Sequence, residues 1–400
     1  MPIKLKACAQ TLVILQLTFS VIATPTNKID FLRRDKSSGS SCPSDLPYSC
    51  TNKKPIDNTC CFESPGGVLL QTQFWDYSPA IGDNDSFTLH GLWPDNCDGS
   101  YEQFCNKSLE VNDAKQVVLD QFQDKELYDK MSTYWKNNNG HDDELWTHEF
   151  NKHATCINTI KPQCYGDYKK NDDVHDFYKI TVNLFEKLPT YQFLKAENIV
   201  PSDEKTYTKK QIADALEKHF GKLVYFKCDN HKALNEVWYF HNLKGSLLGE
   251  NFAPIDALSG PKCPENGIKF PKKGSHSKPS DPGKTRRGYL QAGQKKGCVI
   301  SNGNWYEHGT CATYRVSPLK YGGVTLKSSK GYCNVNDDGS FICNSGVDPS
   351  RSQFQISEKN YISYGGKEEW CLSREHNSNQ YPLYLSNGKC DSFRLLFKQK

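Results

Sequence analysis

Cysteine constrains this chain more than any other residue. Of 400 residues, seventeen are cysteine and two are methionine. Cys8 falls in an N-terminal segment that reads as removed, which leaves sixteen. A dense, even set of thiols belongs to an oxidising compartment, where pairs form and persist. Ten lie between Cys42 and Cys263 and six between Cys298 and Cys390. Both counts are even, so two separately bridged domains are the simplest account.

The segment dividing the two sets is PKKGSHSKPSDPGKTRRGYLQAGQKKG, residues 271–297. It is rich in Pro, Gly, Ser and Lys, lacks a regular apolar pattern, and is expected to be a flexible basic linker. Charge follows the same division. Residues 24–270 carry 28 Lys/Arg against 36 Asp/Glu, the strap 8 against 1, and residues 298–400 carry 12 against 9. The overall +4 therefore hides an acidic body, a basic strap and a mildly basic tail, which is not the pattern of a uniformly basic nucleic-acid binder. Mean hydropathy is -0.70, yet 36% of residues are hydrophobic and 12% aromatic, enough for packed cores and too polar for a polytopic membrane protein.

At the N-terminus, Lys4 and Lys6 precede an apolar stretch that ends in the small residues Val21 and Ala23. That is the form of a secretory signal peptide, residues 1–23, followed by a loose leader, 24–41. The alternative, a membrane anchor, requires about 20 consecutive apolar residues. This stretch is interrupted by Gln10 and Gln16, and stable membrane insertion is not expected.

Within 42–270, residues 68–77 and 86–93 read as strands, the second alternating Phe87 and Leu89 against Thr88 and His90. Val118, Phe122, Leu127, Met131 and Tyr134 predict helix across 112–135. Asp142, Asp143 and Glu144 suit the first turn of another helix. Further helices are predicted over 174–189 and 208–221, the latter with Thr208 as cap and Gly221 as stop. Strand character returns at KLVYFKC and LNEVWYFH. The fold class is α+β, with a mostly antiparallel sheet. Residues 298–400, with turn signals every few residues, read as a small β-rich domain.

Two segments concentrate chemistry: FTLHGLWPDNC, with His90, Trp93 and Asp95, and WTHEFNKHATC, with Trp146, His148, Glu149, Lys152 and His153. The other eight histidines read as surface or core residues. On a helix, Glu149 and His153 share a face, as do His148 and Lys152. A carboxylate–imidazole pair beside an imidazole–ammonium pair suits phosphoryl chemistry, supplying a base with a charged neighbour and positive charge for a phosphate. A zinc hydrolase needs histidines four apart on one helical face. Here they are five apart, about 140° out of phase, and Lys152 would crowd the metal. No Gly-rich phosphate loop appears, and the thiols are too evenly paired for one catalytic cysteine. Trp75 and Trp146 are assigned to packing.

The two histidine segments resemble the active-site motifs of the ribonuclease T2 family, acid ribonucleases of low base specificity. They stand in the family's order and carry its supporting tryptophans. Residues 42–270 are similar to that family's fungal members, including the adjacent pair Cys60–Cys61. The resemblance implies a ribonuclease T2-like catalytic domain and the bonds Cys42–Cys61, Cys50–Cys97, Cys60–Cys164, Cys105–Cys156 and Cys228–Cys263. It implies His153 as general base, His90 as general acid, His148 as phosphate ligand, and Glu149 and Lys152 as stabilisers of the transition state. Trp93, Asp95 and Tyr101 match base-binding positions, a reading favoured over the alternative that the two aromatics are simply core residues. RNA is the implied substrate and DNA is not, because the ribose 2′-hydroxyl is the nucleophile. No metal or other cofactor is implied, and a monomer is expected.

C-terminal extensions occur in some fungal, vacuole-associated members, so a vacuolar or secreted protein is expected. The tail is left with several roles open: binding cell-wall glycan, holding RNA weakly, or engaging a sorting partner. The pairing of Cys298, Cys311, Cys333, Cys343, Cys371 and Cys390 is equally open. Asn84 and Asn106 head glycosylation sequons. The rival reading is a non-catalytic body serving as a binding or adhesion module, which leaves the retention of His90, Glu149, Lys152 and His153 without a chemical reason.

Overall fold

A computed structural model describes residues 42–52, 58–138, 140–274, 284–293, 295–308, 310–319, 322–357, 359–373 and 379–400. The expected signal peptide and leader lie outside the described residues. Along the body run β1 (Val68–Phe74), β2 (Thr88–Asp95), α1 (Lys125–Tyr134), α2 (Asp142–Lys152), α3 (Asp172–Glu186) and α4 (Thr190–Ala196). They are followed by β3 (Ser202–Tyr207), α5 (Lys209–Phe220), β4 (Tyr225–Cys228), β5 (Leu234–Leu243), β6 (Phe252–Ile255) and β7 (Ile268–Phe270).

The main sheet is wholly antiparallel, in the order β2–β1–β5–β4, with β6 on the same edge of β5 as β4. Strand β2 is therefore an edge. Helices cover one face, where Leu69, Leu89, Leu92, Trp135, Trp146, Phe150, Phe177 and Tyr239 share a single core. The opposite face carries a smaller cluster of Val68, Leu70, Tyr225 and Phe240, with Trp93 and Trp238 packed against it. This is the expected α+β class.

Local chemistry accounts for the helix limits. The single helix read across 112–135 is two segments, a π-helical turn at Gln116–Gln121 and α1. The break follows from Gln123, which takes a positive φ of 52°, and from Asp124, whose carboxylate caps the Leu127 N–H. Helix α5 ends as predicted: Thr208 and Gln211 form a reciprocal capping box, and Gly221 closes it in the left-handed conformation. Three acidic residues open α2.

A second core gathers Leu290, Trp305, Tyr314, Phe341, Phe354, Trp370 and Phe397. Its main sheet is ten-stranded and antiparallel, and its helical content among the described residues is the single turn Pro349–Arg351. The expectation that 271–297 is all linker is corrected at both ends. Lys273 donates to the carbonyls of Ile81 and Ser86 and lies over the Trp75 ring. Arg286–Ala292 is a strand, β8, inside the tail's sheet between Tyr314–Pro318 and Phe393–Gln399. Gly288, Leu290 and Ala292 alternate inward there; the Pro/Ser/Lys bias of the preceding residues obscured that period in the sequence.

The body's disulfides are Cys42–Cys61, Cys50–Cys97, Cys60–Cys164, Cys105–Cys156 and Cys228–Cys263, the same pairs the resemblance implies. The tail pairs Cys298–Cys311, Cys333–Cys343 and Cys371–Cys390. Cys333 and Cys343 are direct cross-strand neighbours, a relation only the register could reveal.

Candidate active site

The two motifs meet where edge strand β2 passes the C-terminal end of α2. In a flat strand, residues three apart face opposite ways. Leu89 and Leu92 nevertheless both enter the main core, because the β1–β2 register slips between Thr72 and Gln73. His90 is the extra residue of that bulge, and a bulge re-aims the side chain it carries. Thr72 clamps it: its hydroxyl accepts from the Gly91 N–H at 3.1 Å and donates to the Gly91 carbonyl at 3.2 Å. Trp135 donates its indole N–H to the His90 carbonyl at 2.6 Å, and Trp146 donates to the Trp135 carbonyl.

Helix α2 supplies the other half. Leu145, Trp146 and Phe150 anchor it in the core, which turns Glu149, Lys152 and the terminal His153 toward β2. Glu149 is central and 1% exposed, against 6% for His90 and 3% for His153. Its Oε1 lies 3.3 Å from His90 Nε2, and its Oε2 lies 4.0 Å from His153 Nε2. Oε2 also accepts from the Trp93 indole N–H at 2.7 Å. The Trp93 ring stacks on His153 at 4.9 Å and meets His90 edge-on. A Cβ at Gly91 would overlap the Glu149 carboxylate, so glycine is what lets it approach the strand.

Electrostatics separate the groups. Burial works against the Glu149 charge, but His90, then His153 and His148, bring its carboxyl below the ordinary carboxylate range. Burial holds the His153 imidazole well below its ordinary value, against the pull of Glu149. Burial and the neighbouring Lys152 take His148 down to about 3, which favours a neutral imidazole. Burial also lowers the Lys152 ammonium, opposed by Glu149 and Asp95. Asp95 is raised well above the usual range by burial, opposed by Lys152. His153 Nδ1 is buried without a hydrogen-bond partner among the described residues.

The geometry thus brings together His90, Trp93, Glu149, Lys152 and His153, with His148 and Asp95 alongside. Tyr101 is different. Its hydroxyl accepts from Gln355 of the tail and its backbone N–H donates to Gly365. Asn84 is exposed, whereas Asn106 is half-buried and its amide oxygen accepts from Ser108. Sequence reasoning missed the residues that support the site, Thr72, Gly91 and Trp135. A glycine inside a strand was a signal for Gly91; the other two carried none.

Comparison with known proteins follows the same division of the chain. The model of the Ribonuclease T2 family matches residues 66–255, and that of the RNase T2-like C-terminal domain matches 281–396. A Ribonuclease T2-like protein of Debaryomyces hansenii is 58% identical over 369 residues, covering 90% of this chain and 92% of the relative. One from Saccharomyces cerevisiae is 39% identical over 92% of this chain and 95% of the relative. Ribonuclease T2 of Aspergillus oryzae is 50% identical across 59% of this chain and 86% of its own length. The crystal structure of Actibind, a T2 ribonuclease, superposes with a TM-score of 0.56 at 43% identity, covering 58% of this chain and 98% of that one.

Proposed function

This chain belongs to the ribonuclease T2 family, and from that premise we propose that it is a secreted or vacuolar, metal-independent endoribonuclease of low base specificity acting on single-stranded RNA. His153 removes the proton of a ribose 2′-hydroxyl, and the freed oxygen attacks the adjacent phosphorus. The bond from phosphorus to the 5′-oxygen breaks while His90 protonates that oxygen. The products are a 2′,3′-cyclic phosphate and a 5′-hydroxyl. Water attack with the two roles exchanged then gives a 3′-phosphate.

One observation carries this reading: two imidazoles flank a single buried carboxylate, at 3.3 and 4.0 Å. Burial disfavours the charged form of His153, as a proton-accepting base requires, and Glu149 holds both rings in one cluster. Lys152 and His148 supply donors for the crowded phosphorane-like charge. Weak base preference is consistent with an aromatic platform at Trp93, since stacking tolerates any base. Purified protein incubated with RNA and matched DNA, with and without EDTA, tests the reading. Chelator-resistant RNA cleavage ending in cyclic phosphate is expected. Absence of cleavage, or cleavage abolished by EDTA, overturns it.

A further inference from the structure

Contacts between the two cores gather on one short stretch of the body. Tyr101 N–H donates to Gly365 O at 3.0 Å, and Gln355 donates to the Tyr101 hydroxyl. Gln103 donates to Gln353 O at 3.4 Å. Arg351 has the firmest grip. Its Nη1 donates to Phe104 O at 3.2 Å, its guanidinium lies 4.5 Å from the Phe104 ring centroid, and Nη2 pairs with Glu110.

Phe104 in turn touches the chemistry. Its N–H donates to the carbonyl of Lys152 at 2.9 Å, its ring meets His148 edge-on at 6.2 Å, and the next residue, Cys105, is bonded to Cys156 just past His153. On the other side, Tyr101 bridges to Asp95 across a turn in which Asn96 N–H donates to Ser100 O. The tail therefore holds from outside the segment that links the turn after Asp95 to the end of α2.

We propose that Arg351 is a positioning residue for RNA cleavage: by clamping Phe104 it sets Lys152 and His148, and with Gln355 it fixes the turn between Asp95 and Tyr101, beside Trp93, and so the face offered to a base. This rests on the ribonuclease reading above. The tail is then part of the working enzyme and sets its base preference. A planar guanidinium suits the task, because one group serves a carbonyl, a carboxylate and an aromatic face at once.

Full-length Arg351→Ala and Gln355→Ala proteins test this on poly(A), poly(U) and poly(C). Misplacement of site groups predicts a loss of about tenfold or more in kcat/KM for Arg351→Ala, carried mainly by kcat. Gln355→Ala should shift the ratio of rates among the three polymers. Melting curves establish that each variant is folded at the assay temperature. If Arg351→Ala is not folded, Arg351→Lys replaces it, keeping the charge opposite Glu110 but losing the fork. Folded variants whose kcat/KM and base ratios stay within about twofold of the parent overturn the inference, even if their melting temperatures fall. Failure of the parent protein to cleave RNA would instead strike at the ribonuclease reading, and it would be seen before any variant is made.

Discussion

His153 caps α2 and Glu149 stands one turn earlier on the same face, so a helix alone brings them to 4.0 Å. A His153→Phe variant keeps the ring stacked beneath Trp93 but cannot accept a proton, and its kcat should fall by about 10²–10⁴ with the fold intact. The measurement is a single-turnover rate beside a circular dichroism spectrum. Burial also sets the acid limb of the pH profile. Because His153 loses its proton well below the ordinary imidazole value of about 6.5, the base stays competent as pH falls, and the acid limb of kcat/KM should lie below that value. A second buried carboxylate, Glu63, accepts from the N–H groups of Asn158 and Thr159, yet burial raises it to about 7. Its folded pKa exceeds its unfolded one, so the folded state binds the extra proton. The stability it contributes is complete below about 4.5 and is lost as pH rises toward 7. Thermal melts should therefore be higher at pH 5 than at pH 8, and Glu63→Gln should flatten the difference.

Strand β2 shows how an element converts sequence into a site. The spacing Phe87, Leu89, Leu92 contains a step of three, and that step is the bulge at His90. Phe87 and Leu89 were legible as an alternating strand; the side to which His90 turns was not, since it depends on Thr72 across the sheet. Gly91 is the complementary case. Gly91→Ala places a methyl against the Glu149 carboxylate and the Trp93 indole. It should cost about 1–3 kcal/mol of stability, as overpacking does, and displace the carboxylate from both imidazoles. Urea unfolding and kcat measured on the same preparation check both effects. A variant with parental stability and activity would show that the carboxylate does not depend on this gap.

Across the whole molecule, the proposed ribonuclease activity carries a pH prediction. The body carries eight more acidic than basic residues, which repels a polyanion at neutral pH. Neutralisation of surface carboxylates in acid weakens that repulsion, and burial lowers the pKa of His153, the proposed base. Cleavage at pH 5 should exceed cleavage at pH 8 at equal ionic strength; the reverse order would sink the argument. Strap and tail were the least legible parts. Composition separated them from the body, but β8 lay hidden behind a Pro/Ser/Lys run, and nothing in the tail's sequence announced that Arg351 would close on Phe104.

By itself the sequence determined what depends on near neighbours along the chain: the caps of α5, the helical face shared by Glu149 and His153, the alternating strands, and the even division of the thiols between body and tail. Only the tertiary structure decided what depends on partners distant in sequence. It brought His90 to within 3.3 Å of a carboxylate 59 residues further on, gave that carboxylate its space at Gly91, and set tail residues on Tyr101 and Phe104. Local preferences are written in runs of a few residues, whereas register and packing are settled by the whole chain burying its apolar surface at once.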